Sequence, residues 1–475
     1  YLNSGAGCGK TSTIIGRLGY LVKIKGVEPS RVLALAFNTS AAEEVRQRLS
    51  SLEVEGVDVS TFHSFGRKVI GIARQGMPDL TFVEPGDSRE QFIEKSFKQL
   101  TTENPKYQKK VIRYFMRYLT EHKPLEDFES LNECLKYENG GNLRSTNGIY
   151  MKSQQEVAIA DFLYEHSVNF EYEKRYEFDT ATATHRQYRP DFYLTDYDIW
   201  LEHFAIKKGS SGQLFSIFKG YMDGHEWKMK VHAEKETQLL STFSYQFDDD
   251  TIWDSLRESL EEQGVQLVER PSDELARTIL NDRPQMVSKF TNLLSTFMSL
   301  MTSAGKSVEE LKAGLLSFRN QAFLDIVQPI YHTYRKELER RDAIDFDDMI
   351  ANGAEALGEG SCLAEYDHVL IDEFQDIGIG RLKLVKGVIG QNPGSRVFCV
   401  GDDWQAIYRF AGGDVSILYD FEEYFEGECV RLNLTKTFRY SDEVASLSND
   451  FVLKNPRQTR KTVTSDSDSQ ACIDI

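Results

Sequence analysis

Short apolar runs alternate with amphipathic helical stretches at the start of the chain and again after residue 341. Residues 31–37, Arg-Val-Leu-Ala-Leu-Ala-Phe, form an apolar run bounded by polar residues, which predicts a strand buried on both faces of a parallel sheet. Residues 40–49 follow as a predicted helix, because Ser40 can cap its first turn. Further strands are predicted at residues 57–62, 368–371, 396–400 and 430–434. This alternation is typical of an α/β fold.

A long insertion separates the two stretches of α/β pattern. Residues 85–150 are charged, aromatic and helical in pattern, and residues 271–340 return to helical periodicity. Between them, residues 151–270 combine one helix with aromatic, strand-like segments. We therefore predict an α/β core made of residues 1–84 and 341–427, three inserted segments, and a further α/β segment that begins within 428–475.

Composition limits the class of protein. A chain of 475 residues is too long for one ordinary core and predicts two to four domains. The net charge of −18 argues against indiscriminate coating of nucleic acid, although a protein that walks along a strand needs only a local basic and aromatic groove. The six cysteines are scattered and include no C-x-x-C pair, which argues against a zinc site and favours a reducing cytoplasm. No apolar run approaches the ~18 residues that span a bilayer, so no membrane contact is expected.

Residues 4–11, Ser-Gly-Ala-Gly-Cys-Gly-Lys-Thr, carry the sharpest local signal. Small residues let backbone N–H groups wrap phosphate oxygens, and the helix that follows points its positive end at the anion. Lys10 would bring charge to the β- and γ-phosphates of ATP, and Thr11 would offer a hydroxyl ligand to Mg²⁺. The alternative is a glycine-rich turn before a helix, and Ser4 departs from the general pattern, which begins with Gly. The residues predicted to hold the nucleotide here are Gly5, Gly7, Gly9, Lys10, Thr11 and Ser12.

Acidic residues follow a second apolar strand. Asp372 is predicted to hold Mg²⁺, and Glu373 to orient and deprotonate an attacking water. Gln405 follows the next strand and could sense the γ-phosphate. Arg439 follows another and could act as an arginine finger. Taken singly, these residues also fit a solvated acidic turn and an ordinary surface arginine.

Seven motifs in one order resemble the superfamily 1A (UvrD/Rep) helicases. They occupy residues 5–11, 36–42, 61–64, 345–348, 372–376, 401–409 and 437–441. The resemblance implies a P-loop, RecA-like parallel sheet core at 1–84 and 341–427, and a second RecA-like domain beginning within 428–475. It implies ATP bound between the two domains, with Phe438 stacked on adenine and with Gln405 and Arg439 on the γ-phosphate.

The same resemblance implies 3′-to-5′ movement on single-stranded DNA and action at duplex junctions, in repair or recombination and in a bacterial-type nucleoid. Aromatic side chains suit such a motor, because stacking on bases is tolerant of sequence. For Phe37 and Phe410 the alternative is core packing. The residues at the family's DNA-contacting positions are Phe37, Asn38, Thr61, His63, Tyr408 and Phe410.

The chain also departs from the family pattern. The adenine-reading segment before the phosphate loop and the last motifs of the second RecA-like domain are missing. Only two residues precede the loop, although a buried strand normally feeds it. We therefore expect that the sequence was cut from a longer protein, and that the fragment alone does not work as a motor.

The insertion resembles the core of PD-(D/E)xK nucleases. Glu156, Asp191 and Glu202 stand where that family binds Mg²⁺. Glu156 lies upstream on a predicted helix, Asp191 in the string Gln-Tyr-Arg-Pro-Asp-Phe-Tyr-Leu, and Glu202 in the string Trp-Leu-Glu-His-Phe. Phe204 occupies the position of the family's lysine. The lysines that could substitute for it are Lys207, Lys208 and Lys228. The alternative is an accessory α/β insert whose acids are surface groups.

Three hypotheses follow from the sequence. The first is an ATP-hydrolysing DNA translocase and helicase, and the second is a helicase–nuclease whose insertion cuts DNA with Mg²⁺. The third is a non-catalytic DNA-binding module with a degenerate ATP site. The complete set of Lys10, Asp372, Glu373, Gln405 and Arg439 speaks against the third.

Overall fold

The computed structural model describes most of the chain, and its residues divide into two compact units. The first unit comprises Tyr1–Gln91, Leu294–Ala313 and Tyr331–Ile475, and the second comprises Phe92–Leu293 and Gly314–Ile330. The described residues are 1–82, 86–119, 143–182, 186–209, 213–215, 221–282, 284–314, 317–360, 365–407, 412–425, 427–456 and 458–466.

The strands are numbered in chain order. They are β1 (Leu2–Ser4), β2 (Val32–Ala36), β3 (Asp58–Thr61), β4 (Asp79–Leu80), β5 (Leu143–Arg144), β6 (Tyr150–Met151), β7 (Phe170–Tyr172), β8 (Phe192–Leu194), β9 (Ile199–Phe204), β10 (Lys207–Lys208), β11 (Leu214–Phe215), β12 (Gln238–Phe243), β13 (Ala343–Ile344), β14 (His368–Ile371), β15 (Arg396–Gly401), β16 (Leu432–Leu434), β17 (Lys436–Thr437) and β18 (Thr464–Ser465).

The helices are numbered in the same way. They are α1 (Lys10–Gly19), α2 (Thr39–Ser51), α3 (Phe62–Ala73), α4 (Arg89–Glu103), α5 (Pro105–Tyr118), α6 (Gln154–Glu165), α7 (Tyr221–Glu234), α8 (Ser244–Asp248), α9 (Ile252–Glu262), α10 (Ser272–Asp282), α11 (Pro284–Ser303), α12 (Val308–Gly314), α13 (Phe318–Arg341), α14 (Phe346–Gly358), α15 (Ile379–Gln391), α16 (Ser416–Tyr419), α17 (Phe421–Tyr424) and α18 (Asp442–Val452). Short 3-10 turns cover Pro29–Arg31, Phe374–Asp376 and Asp403–Gln405, and Tyr20–Ile24 forms a π-helical turn.

A parallel sheet is the framework of the first unit. Among the described residues its strand order is β16-β1-β15-β14-β2-β3. Residue 2 therefore pairs with residues 400 and 432, far along the chain. The predicted α/β fold with a parallel sheet is confirmed. Strands β2, β3, β14 and β16 lie within four of the runs predicted as strands, and β15 extends one residue beyond the fifth.

Helices cover both faces of this sheet. Along β2 the side chains alternate: Val32 and Ala34 pack in the core under α1 and α2, whereas Leu33 and Leu35 pack in the core under α3, α14 and α15. Each fully buried leucine stabilises the fold by about 1.5–3 kcal/mol relative to an exposed one. On the second face α3 crosses α14 so closely that a Cβ on Gly66 would lie 2.1 Å from the Met349 carbonyl oxygen.

The start of α2 corrects one prediction. Ser40 was the expected cap, but the helix begins one residue earlier and Asn38 caps it. The Asn38 side-chain oxygen accepts from the Ala41 N–H at 2.8 Å, and the Ser40 hydroxyl donates to that oxygen at 2.8 Å. Asparagine outcompetes serine here because its extended backbone directs the side chain at the open N–H groups.

The second unit contains its own mixed sheet. Its elements run α6, β7, β8, β9, α7, β12, and the strand order is β12-β9-β8-β7. Strand β12 is parallel to β9, while β8 is antiparallel to both β7 and β9. A separate aromatic core joins α4, α5 and α11, where the Phe115 and Phe290 ring centroids are 4.9 Å apart and Phe97 lies 5.6 Å from Phe290.

Over the part of the chain that is described, no helix has both the length and the apolar character needed to cross a bilayer. The six-segment division at residues 84, 150, 270, 340 and 427 remains a prediction.

Candidate nucleotide and nucleic-acid site

The phosphate loop connects β1 to α1 at the carboxyl end of the parallel sheet. Gly7 and Gly9 have φ values of +72° and +84°, in the left-handed region that glycine adopts most easily. Gly7 also leaves no room for a side chain, because a Cβ would lie 2.4 Å from the Cβ of Arg439. The loop therefore presents backbone N–H groups and the positive end of α1 to the same space, an arrangement that suits phosphate.

Two contacts join the loop to the end of β14. The Lys10 ammonium donates to Glu373 Oε2 at 2.7 Å, and the Thr11 hydroxyl donates to Asp372 Oδ2 at 3.3 Å. Burial, and then the neighbouring Glu373 carboxylate, raises the pKa of Asp372 to about 6. A hydroxyl beside a buried carboxylate is a ligand pair that a hard divalent cation such as Mg²⁺ accepts, so these residues fit the cation predicted from the sequence.

Glu373 has an unusual backbone. Its φ of +49° and ψ of +45° lie in the left-handed region, a conformation that costs a non-glycine residue about 1–3 kcal/mol. Gln375 then donates from Nε2 to Glu373 Oε2 at 2.9 Å and to Asp376 Oδ2 at 3.0 Å. Burial, followed by the charge of Glu373, raises the pKa of Asp376 to about 6. The turn after β14 thus gathers acids whose orientation is set by Gln375.

A cavity of about 450 Å³ opens beside the loop. Most residues predicted for the nucleotide contribute to its wall, whereas Gly5 and Asp372 are not among the lining residues. Phe438 is 77% exposed, so its ring is available for stacking. The wall is formed by Gly7, Gly9, Lys10, Thr11, Ser12, Glu44, Arg48, Glu373, Gln405, Phe438 and Arg439.

The sequence reasoning did not identify two residues of this wall. Glu44 and Arg48 are one turn apart on α2, their side chains are paired at 2.8 Å, and Arg48 donates to the Ser12 hydroxyl at 3.2 Å. A spacing of four residues between acid and base was visible in the sequence, but it fits any exposed helix face equally well.

Four of the predicted DNA-contacting residues lie where β2 and β3 end: Phe37 and Asn38 follow β2, Thr61 ends β3, and His63 is in the first turn of α3. Phe37 is half-buried, and the guanidinium of Arg381 on α15 lies 4.4 Å from its ring centroid. Asn38 caps α2, as described above. Thr61 caps α3 through the Ser64 N–H at 3.1 Å. Arg381 was not singled out in the sequence.

His63 lines a second cavity in the same unit, of about 1390 Å³. Its ring meets Phe346 edge-on at 6.1 Å, and Arg381 also lines the cavity. Burial lowers the pKa of His63, and the nearby Arg381 charge adds to that effect. The other two predicted contacts, Tyr408 and Phe410, lie outside the described residues.

In the second unit, the predicted nuclease acids are adjacent but already bonded. Glu202 Oε2 accepts from the Tyr188 hydroxyl at 2.9 Å and from the Asp191 N–H at 3.2 Å, while Asp191 Oδ2 accepts from the His203 N–H at 2.7 Å. Burial raises the pKa of Asp191 well above its ordinary value, and the carboxylates of Glu202 and then Glu156 add to this.

The third predicted nuclease acid, Glu156, is also hydrogen-bonded by the protein. Its Oε2 accepts from the Tyr172 hydroxyl and from the Lys152 N–H. Among the residues that the structure describes, no three His, Cys, Asp or Glu side chains are grouped so as to hold a metal ion.

The structure also distinguishes the three candidate lysines. Lys228 on α7 contacts Glu202 Oε1, and its ammonium lies 5.5 Å from the ring of Phe204. Lys207 instead pairs with Asp248 on the surface at 2.9 Å, and Lys208 lies 5.9 Å from the Tyr245 ring. Lys228 is therefore the lysine that reaches the predicted acids.

Comparison with known proteins agrees with the geometry of the first unit. Residues 1–426 match the UvrD/REP helicase N-terminal domain family. The chain is 32% identical over 187 residues to DNA helicase IV of Escherichia coli (strain K12), covering 39% of this chain and 27% of that protein.

More distant relatives include two further helicases. ATP-dependent DNA helicase UvrD1 of Mycobacterium tuberculosis (strain ATCC 25618 / H37Rv) is 28% identical over 151 residues, covering 30% of this chain and 20% of the relative. ATP-dependent DNA helicase srs2 of Schizosaccharomyces pombe (strain 972 / ATCC 24843) is 31% identical over 137 residues, covering 29% and 15%. The matched region is less than a third of the length of each of these three relatives.

Proposed function

Because the chain belongs to the UvrD/REP helicase family, we propose that this protein is an ATP-dependent motor that moves 3′ to 5′ along single-stranded DNA and opens duplex junctions. The observation that carries the proposal is that Lys10, Glu373, Gln405 and Arg439 line one cavity beside the phosphate loop. Glycine-rich phosphate loops occur in many proteins, but a loop facing an acid, an amide and an arginine fits phosphoryl transfer.

The residues of this cavity have separate roles in hydrolysis. Lys10 would leave Glu373 for the phosphates, and Glu373 would then accept the proton of the attacking water. Mg²⁺, when bound beside Thr11 and Asp372, supplies neutralising charge to the phosphate oxygens.

The transferred phosphate would have its own contacts. Arg439 and Gln405 would face the γ-phosphate, and the exposed Phe438 ring would stack on adenine. These roles agree with the residues that line the cavity.

DNA would be held along the edge of the sheet where β2 and β3 end. The half-buried Phe37 ring under the Arg381 guanidinium, and His63 in the wall of the larger cavity, offer stacking and positive charge without reading base edges. We include Asn38, Thr61, Tyr408 and Phe410 in this DNA path, because they stand at the family's positions. A role in repair or recombination follows from the family and stays a prediction.

The first experiment measures ATP hydrolysis with and without single-stranded DNA, using the protein expressed with any further sequence that its gene encodes. We expect strong stimulation by DNA and its loss in Glu373→Gln. Glu53→Gln, an exposed acid 3.9 Å from Lys23, is the matched control and should retain the wild-type rate. Hydrolysis that ignores DNA contradicts a motor, and absence of hydrolysis in the wild type favours the non-catalytic DNA-binding hypothesis.

Direction needs a separate assay. Duplexes with a 3′ or a 5′ single-stranded tail are compared, and only the 3′-tailed duplex should open. Equal opening of both contradicts the proposed polarity.

A second candidate function is DNA cleavage by the inserted unit. The observation in its favour is the contact between Lys228 and Glu202, next to Asp191, in a sheet of order β12-β9-β8-β7. We expect cleavage with Mg²⁺ or Mn²⁺ that Asp191→Ala abolishes, whereas Asp196→Ala, on the following surface turn, does not affect it. Intact DNA after long incubation with either cation removes this candidate.

A further inference from the structure

A buried lysine lies behind the nucleotide cavity. The Lys461 side chain is completely buried, and its ammonium donates to Asn3 Oδ1 at 3.0 Å, Ser4 O at 2.7 Å, Asp402 Oδ1 at 2.6 Å and Asp403 Oδ1 at 2.9 Å. An ammonium has three N–H donors, so these four acceptors use all of them and at least one N–H is shared between two oxygens. None of the motifs in the sequence included this residue.

These contacts join two parts of the ATP site. Asn3 and Ser4 end the strand that leads into the phosphate loop, whereas Asp402 and Asp403 directly follow β15. Trp404 covers the ammonium with its ring centroid at 4.9 Å, and its Nε1 donates to Thr459 O at 3.1 Å. The segment that carries Lys461 is thereby fixed against the turn that carries Gln405.

The Asp402 carboxylate bonds both Lys461 and Gln405. Its Oδ1 accepts from Lys461, while its Oδ2 accepts from the Nε2 amino group of Gln405. The carboxylate therefore fixes which end of the Gln405 amide is the donor, and leaves the second N–H of that group for another acceptor.

Asp402 is also connected to Glu373, the acid in the wall of the cavity. The Asp402 backbone N–H donates to Gln375 Oε1 at 2.8 Å, and Gln375 Nε2 donates to Glu373 Oε2 at 2.9 Å. One buried lysine thus supports the orientation of both the amide and the acid that face the cavity.

We propose that Lys461 is a positioning residue for ATP hydrolysis, which holds Asp402 so that Gln405 and, through Gln375, Glu373 face the γ-phosphate. The inference rests on the proposed function, because it assumes that the cavity hydrolyses ATP. Stability alone is a weak reason for such a network, because well-packed apolar residues replace buried ion pairs at little or no loss.

The test compares the rate of ATP hydrolysis with nucleotide affinity in Lys461→Met. We expect kcat to fall about 10²-fold, the size of effect that follows from misplacing a reacting group, while KM for ATP changes by less than about threefold. Lys454→Met, an exposed lysine on the same connecting segment, is the matched control and should behave as wild type.

A double-mutant cycle separates positioning from general damage. Lys461 acts in part through Gln405, so Lys461→Met should slow the Gln405→Ala variant clearly less than the about 10²-fold by which it slows the wild type. Effects of the two changes that multiply in full overturn the proposal. Where Lys461→Met does not fold, as judged by circular dichroism, Asp402→Asn replaces it in the cycle, because that change places an amide nitrogen against Gln405 and keeps Lys461.

The outcomes are distinguishable. A wild-type protein that does not hydrolyse ATP ends the proposed function and this inference together. An active wild type, with a Lys461→Met variant as fast as Lys454→Met, ends only the inference.

Discussion

The two units each contain a lysine in contact with a glutamate, and the two pairs are built differently. In the first unit Lys10 meets Glu373, whose side chain is 34% exposed beside an open cavity. In the second unit Lys228 meets Glu202, whose side chain is 2% exposed. Both oxygens of Glu202 accept hydrogen bonds from the protein, whereas the bonds described for Glu373 reach one oxygen, Oε2.

The difference teaches that the type of residue does not by itself define a reactive centre. A pair beside an open cavity can exchange its partner for a phosphate or a water at little cost, because water and ligand replace the lost contact. In the interior both charges have lost their water and each is compensated by the other, so removing either member leaves an uncompensated buried charge. We therefore expect the first pair to govern reaction rate and the second to govern stability.

The largest effect should come from Lys10→Met. ATP hydrolysis should fall about 10²–10³-fold, because a preorganised donor to developing charge is lost. The free energy of unfolding should change by less than about 1 kcal/mol, since the partner acid is reachable by water. Steady-state kinetics and urea unfolding measure the two quantities, with the exposed Lys23→Met as control. A large loss of stability in Lys10→Met would contradict the expectation that the exposed pair governs rate and not stability.

The next effect should be on the second unit. Lys228→Met should lower its free energy of unfolding by about 2–3 kcal/mol, because Glu202 is left charged and buried. Tryptophan fluorescence in urea reports on this unit, which contains Trp200, Trp227 and Trp253 of the four tryptophans in the chain.

Controls sharpen this result. Lys230→Met, an exposed lysine on the same helix, should have no measurable effect. Adding Glu202→Gln to Lys228→Met should recover most of the loss, because the buried charge is removed as well. A loss below about 0.5 kcal/mol in the first variant would place both pairs in the same class.

A pH effect should also belong to the second unit. Burial lowers the pKa of His232 to about 4, from about 6.5 in the unfolded chain. The unfolded state binds the proton more tightly, so the contribution of His232 to stability is complete above pH 6.5 and is lost as the pH falls toward 4. Between pH 7 and 5.5 the wild type should lose about 1 kcal/mol more than His232→Asn, as measured by urea unfolding. Parallel pH profiles would show that this histidine is accessible to water.

The smallest effect should come from Lys207→Met. Its partner Asp248 is on the surface, and exposed pairs contribute less than about 1 kcal/mol. Tryptophan-detected unfolding should shift by less than about 0.5 kcal/mol. A shift as large as that of Lys228→Met would mean that exposure does not separate the two lysines.

Much of the first unit could be predicted from the sequence, because its signals are local. The glycines of the phosphate loop, the apolar strands and the acids after β14 each fall within a few consecutive residues. These patterns predicted the parallel sheet, which the structure confirms, and they agree with membership of the helicase family. The predicted cap of α2 was wrong by two residues, because asparagine and serine cap helices equally well and the sequence offers both, at 38 and 40.

The remaining parts of the site depend on contacts between distant residues. Lys461 stands in a polar segment with no periodic pattern, and only the fold brings it to Asn3 and Asp402. Arg381 reaches Phe37 from a helix more than three hundred residues later. The choice among Lys207, Lys208 and Lys228 was equally open, because a lysine that reaches an acid from another helix leaves no fixed spacing in the sequence.

The position of β1 within the sheet has a consequence for synthesis of the chain. Its pairing partners are β15 and β16, so β1, which precedes the phosphate loop, cannot pair until residues 400 and 432 have been translated. At about 5–20 residues per second, roughly 20–80 s pass before those partners leave the ribosome. The second unit, residues 92–293 and 314–330, is translated in full before then and can fold first. Slow, non-local closure of the sheet would make ribosome-bound chains a target for chaperones that hold exposed apolar strands.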